Sequence, residues 1–116
     1  IAATCAHPGV AYRTSKAAVN ALTEQMAIAN ARHGIRVNAI MPGMMNTPMA
    51  IEGISAARGV SKEKLAAERD ARVPLGRKMG SAWDVAHAAL YFASDDAGFV
   101  TGVVMPVDGG QSLQRG

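Results

Sequence analysis

From Val10 to Arg32 apolar positions recur every three to four residues among many alanines, the best helix formers, and the spacing predicts a long helix. Gly34 follows as its C′ stop, with Arg32 and His33 in the last turn, where cations suit the helix dipole. Ile35–Met41 is short and β-branched and is cut off by Pro42-Gly43, which predicts a buried strand. Residues 44–60 show no clear period and predict an irregular loop with a short helix. Ser61 can cap a charged helix over Lys62–Arg72, ending before Pro74. Ser81-Ala82-Trp83-Asp84 has capping-box spacing, with Asp in the usual Glu place, and opens a helix to about Ser94. Val103–Val107 reads as a second strand, interrupted late by Pro106, and Asp108-Gly109-Gly110 as a turn. Residues 1–8 read as loop, ending at His7-Pro8-Gly9. The order of helix, strand, helical loop, helix and strand is α/β grammar. Two strands alone would leave their flanks open, and a buried parallel sheet normally has more strands beside it, so these elements read as part of a larger fold.

The first helix carries the candidate chemistry. With Tyr12 set at zero and about 100° per residue, Lys16 falls near 40°, Val19 near 340°, Leu22 near 280° and Met26 near 320°. Tyr12 and Lys16 are therefore expected on the inward stripe rather than on a solvated face, within reach of each other one turn apart. The opposite side carries Ala17, Ala18, Ala21 and Ile28, which suggests burial on both faces.

Composition narrows the function classes. The chain has 116 residues, 49% hydrophobic and 18% charged, which is neither disordered nor fibrous. Its longest apolar stretches, Val37–Met45 and Ala86–Ala93, are interrupted and fall short of the ~18 residues of a membrane span. No secretory signal is visible, and the single Cys5 excludes an internal disulfide framework, so a cytoplasmic protein is expected. The net charge of +3 is spread along the chain and only 4% of residues are aromatic, which argues against nucleic acid as a partner. His7, His33 and His87 lack metal-ligand spacing, so no metal is expected.

Four ordered motifs add to this reading. They are Tyr12-Arg13-Thr14-Ser15-Lys16, then Ile35-Arg36-Val37-Asn38-Ala39-Ile40-Met41-Pro42-Gly43, then Thr47, and finally Val107-Asp108-Gly109-Gly110. Together they resemble the C-terminal half of the classical short-chain dehydrogenase/reductase family, over nearly the whole chain. The resemblance implies the C-terminal part of a doubly wound parallel-sheet, Rossmann-like α/β domain that binds NAD or NADP, with the preference unreadable here. It implies Tyr12 as acid/base on an alcohol/carbonyl substrate, and Lys16 as the residue that holds the nicotinamide ribose and tunes Tyr12. It also implies Pro42, Gly43, the Met45 main chain and the Thr47 hydroxyl as cofactor contacts, and a homodimer or homotetramer packed through the first helix.

These residue types suit the chemistry. A carbonyl that takes up hydride needs a proton at its oxygen, and the reverse reaction needs a base there. A free phenol ionises only near pH ~10. An ammonium one helical turn away favours the phenolate. Met41, Met44, Met45 and Met49 suit either an apolar substrate mouth or plain core filling. Cys5 reads as a small loop or core residue, the charges of Lys62–Arg72 as a solvated helix that family members use as a lid, and Asp108 as a turn residue. The family's glycine-rich loop, NAD/NADP selector, structural Asn and catalytic Ser are expected upstream of Ile1; Ser15 and Thr4 match no such position. Taken alone, the chain is therefore expected to be inactive. The alternative is a noncatalytic relative that serves oligomerisation or nucleotide sensing.

Overall fold

The computed structural model describes residues 9–114, so the expectations for the initial loop, Cys5 and His7 fall outside the described residues. Its elements in chain order are α1 (Val10–Asn30), β1 (Ala39–Pro42), α2 (Ile54–Arg58), α3 (Lys62–Asp70), α4 (Ala82–Ala93) and β2 (Val104–Val107). The two strands pair in parallel, with Ala39 opposite Val104 and Pro42 opposite Val107.

The helix boundaries follow local chemistry. A tight turn over Ala31–His33 ends α1, and Gly34 then takes φ 70°, where it donates its N–H to the Ala31 carbonyl. That left-handed position suits a residue without Cβ. The Ser61 hydroxyl accepts from Lys64 N and opens α3. Ser81 and Asp84 form the reciprocal capping box of α4, and the Ser81 donors hold the Asp84 carboxyl below its ordinary ionisation range. In the irregular stretch a wide turn at Met49–Gly53 runs into α2, which Gly59 stops at φ 62°.

Both strands are shorter than expected, for a physical reason. Ahead of β1, side chains take the place of the ladder: Val37 N–H donates to Thr101 Oγ1 at 3.0 Å. Asn38 donates to the Val100 carbonyl and accepts from Val103 N–H, at 2.9 and 3.0 Å. Prolines are tolerated inside both strands because alternate backbone nitrogens face the partner. Ala39 and Gly43 donate to Val103 and Val107, so the nitrogens of Pro42 and, by the same alternation, Pro106 point to the outer edges.

The expected burial of α1 needs correction. Tyr12, Val19, Leu22 and Met26 are 44–57% exposed, and among the helix's residues only Thr23 and Ala27 are buried. On the same wheel Thr23 and Ala27 fall at about 20° and 60°, either side of Lys16, so the contact line is displaced from the apolar stripe. The apolar stripe borders the cavity between α1 and β1, and the helix comes close to the chain at Ala27, beside the Gly102 turn ahead of β2. The Ala27 methyl lies 3.5 Å from where a Gly102 side chain would begin. Ala17, Ala18, Ala21 and Ile28 are exposed as well, so neither face of α1 is buried within the chain.

The core sits beside the sheet. Ile51, Val73 and Met79 form one buried cluster, with Met44 and Ala66 packed against it. Met44 and Asn46 exchange backbone hydrogen bonds with Gly80, which ties the segment after β1 to the one before α4.

Candidate active site

The end of β1 opens into a cavity of about 500 Å³. Its walls include Tyr12 and Lys16 from α1, Pro42 and Gly43 from the strand end, and Met45 and Thr47 from the segment beyond. All six residues singled out in the sequence therefore meet at one place, at the carboxyl end of a strand, where open α/β sheets bind ligands. Among the described residues no Asp or Glu lines it, and its two cations are Lys16 and Arg69.

Within the cavity, Lys16 Nζ lies 5.5 Å from the centre of the Tyr12 ring. Both side chains are exposed rather than buried, so the pair stands at an open mouth. The Met45 bridge to Gly80 uses the N–H of Asn46 and the carbonyl of Met44, which leaves the N–H and C=O of Met45 itself outside that pairing. Thr47 has two attachments: its Oγ1 accepts from Ala50 N–H at 3.3 Å, a cap on the following turn, and it also lines the cavity. The methionines divide between the two expected uses, since Met41, Met45 and Met49 line the cavity while Met44 packs on the core. Among the described residues no group of His, Cys, Asp and Glu could hold a metal ion.

Gly43 is where the chain crosses itself. A Cβ there would overlap Gln111 Oε1 and lie 2.6 Å from both Cα and Cβ of Asp108. The Gln111 amide oxygen accepts from Met44 N–H at 2.6 Å, so the turn after β2 clamps the end of β1. Asp108 is a turn residue, as expected, and a buried one. Its carboxylate accepts from Gly110 N–H at 2.9 Å and Ser112 N–H at 2.8 Å. Burial works to raise its ionisation, but the Ser112 and Gly110 donors outweigh that and hold it below the ordinary carboxylate range.

The sign of this shift gives a prediction. A depressed folded value means that Asp108 stabilises fully above the unfolded range, about pH 4, and that this contribution is lost as pH falls through the lower folded value. Asp108→Asn should therefore lower Tm at neutral pH and flatten its decline below about pH 4. Equal acid slopes in both proteins would contradict the assignment.

Sequence reasoning missed Asn38, Gln111 and Arg69. Asn38 carried a signal, since an amide within a β-branched run has to find hydrogen bonds. Arg69 carried one too, lying four residues after Leu65, the one large apolar residue of α3. Gln111 carried none, because its partner is set by the tertiary fold.

This architecture is that of part of a doubly wound α/β domain, with its cavity at a strand's carboxyl end. The family model described as "Enoyl-(Acyl carrier protein) reductase" matches residues 1–112, and the chain belongs to the short-chain dehydrogenase/reductase family, as part of its C-terminal portion. It is 40% identical over 104 residues to a 7alpha-hydroxysteroid dehydrogenase of Clostridium sardiniense, covering 90% of this chain and 37% of that one. It is 46% identical over 105 residues to 3beta-hydroxysteroid dehydrogenase 1 of Eggerthella lenta, covering 90% and 38%. The ligand-free aldohexose dehydrogenase of Thermoplasma acidophilum superposes with a TM-score of 0.89 at 32% identity, over 98% of this chain and 46% of that one. The chain thus spans less than half the length of these relatives. Among the described residues no helix is long and apolar enough to cross a membrane.

Proposed function

We propose that this chain supplies the proton-transfer part of an NAD- or NADP-dependent oxidoreductase site acting on an alcohol/carbonyl pair, with Tyr12 as acid/base. The observation that carries this reading is the meeting of Tyr12 and Lys16 with Met45 and Thr47 in one cavity at the end of β1. Members of the family typically use NAD(P). The donor set suits such a cofactor: an ammonium, a hydroxyl, and an N–H and C=O outside the local pairing, with no carboxylate on the wall to repel phosphate.

When bound, the cofactor supplies or accepts the hydride. In reduction, the Tyr12 hydroxyl donates its proton to the oxygen of the substrate carbonyl as negative charge develops there. The Lys16 ammonium stabilises the phenolate left behind and donates to ribose hydroxyls. In oxidation the phenolate takes the alcohol proton back. The Met45 N–H and C=O orient the nicotinamide carboxamide, Thr47 donates its O–H to the carboxamide or the nearby phosphate, and Pro42 and Gly43 shape the floor. The named relatives act on hydroxysteroids and an aldohexose, so the substrate class is drawn no more narrowly than a secondary alcohol or its carbonyl. The exposed small-residue face of α1, with Ala17, Ala18 and Ala21, supports self-association as a homodimer or homotetramer.

Lys16→Met in the full-length protein tests this reading, since it keeps the stem and removes the charge. Cofactor affinity and rate should both fall, and the acidic limb of the oxidation rate should move to higher pH. A pH profile that stays in place would remove Lys16 from the proton-transfer role.

A further inference from the structure

Arg69 is the charged residue of this region that the proposed chemistry leaves unused. Three cations on and around α3 have carboxylate partners: Arg58 pairs with Glu68 at 3.0 Å, Lys62 with Glu52 at 2.7 Å, and Lys78 lies 3.9 Å from Asp70. Arg69 has no such partner among the described residues, and its Nε is buried without a hydrogen bond. Leu65, one turn earlier on the same face, is 1% exposed and anchors that face inward. Arg69 therefore stands in the wall of the cavity that holds Tyr12 and Lys16, with no acidic residue among the described residues of that wall.

Arg69 is half-buried as a residue, but a buried N–H without a partner is destabilising unless something completes it. Burial first, and Arg72 second, lower its ionisation, yet a guanidinium stays charged at neutral pH. Its planar fork matches an oxyanion, which it can hold through two parallel hydrogen bonds. The groups assigned to the cofactor come from α1, the end of β1 and the segment after it, whereas Arg69 comes from α3.

We propose that Arg69 holds a carboxylate of the substrate, carried on a part of the molecule away from the reacting carbonyl. This rests on the oxidoreductase reading above and makes anionic hydroxy or oxo acids the favoured substrate class. The other source of the same chemistry is the pyrophosphate of the cofactor, and the experiment separates the two.

The probes are hexanoate and its neutral counterpart hexanamide, added to full-length protein labelled with ¹⁵N. The Arg69 Nε–H resonance is assigned by its loss in Arg69→Lys. Hexanoate should move it saturably, with or without NADH or NADPH present, and hexanamide should bind at least about tenfold more weakly. No response to hexanoate overturns the proposal. A shift caused by the dinucleotide alone, with hexanoate then without effect, also overturns it and places the guanidinium on pyrophosphate. Arg69→Met should keep or raise Tm and lose the stabilisation by hexanoate. A lower Tm with that stabilisation intact would make Arg69 a structural residue and would equally overturn the proposal. Tyr12→Phe should retain the hexanoate response, so failure of the acid/base reading and failure of the anion seat are seen separately.

Discussion

Tyr12→Phe in the full-length protein should lower turnover by at least ~10²-fold, the usual range for losing general acid/base help, with cofactor affinity nearly unchanged. The substitution removes one oxygen and nothing else. The ring that Lys16 Nζ approaches at 5.5 Å remains, so the cation keeps its position over an aromatic face. The cavity wall keeps its shape, and half-exposed Tyr12 makes no core contribution that Phe would disturb. The loss should therefore fall on the chemical step. Steady-state rates and a cofactor titration on the same preparation measure both quantities. Activity within a few-fold of the parent would remove Tyr12 from the acid/base role.

Gly43→Ala should destabilise the folded chain by roughly 2–4 kcal/mol, from overpacking together with a lost buried hydrogen bond. The new methyl would overlap Gln111 Oε1 and come within 2.6 Å of the Asp108 Cα, a backbone atom that cannot turn aside. Relief requires the β2 turn to move away, which breaks the bond from Met44 N–H to Gln111. The end of β1 then shifts, and with it the segment bearing Met45 and Thr47, so cofactor affinity should fall as well. Gly53→Ala is the control: Gly53 has φ −62° and ψ −43°, and nothing lies within 4 Å of the added carbon. It should be neutral or slightly stabilising. Denaturant midpoints that move equally in the two variants would refute the close approach at Gly43.

Local chemistry explains how much could be read from residues alone. Ser61, Ser81 and Gly34 mark their helix ends because a cap needs only its neighbours. The convergence of Tyr12, Lys16, Pro42, Gly43, Met45 and Thr47 on one cavity was legible through ordered motifs. The start of β1 was illegible because Thr101 and Val103, far along the chain, decide where side chains replace the ladder. The contact line of α1 was misread because the stripe of Val19, Leu22 and Met26 reports hydrophobicity, whereas the close approach at the Gly102 turn is made by the small Ala27. Arg69 was read with the solvated charges of α3, and only its unpartnered Nε and its place in the cavity wall set it apart.

The staple at the base of the strands has a consequence for how such a chain can diversify. Asn38 and Val103 are joined across a separation of 65 residues, and everything that forms α2, α3 and α4 lies between these two anchors. Closing a flexible loop depends only on the logarithm of its length, so ten residues added to a segment of that size would raise the closure entropy term by only about 0.1 kcal/mol. Insertions and deletions in the exposed parts of this connection are thus nearly invisible to the strand pairing. The strand end and the Tyr12–Lys16 helix can stay fixed while the connection, Arg69 included, is rewritten for another substrate.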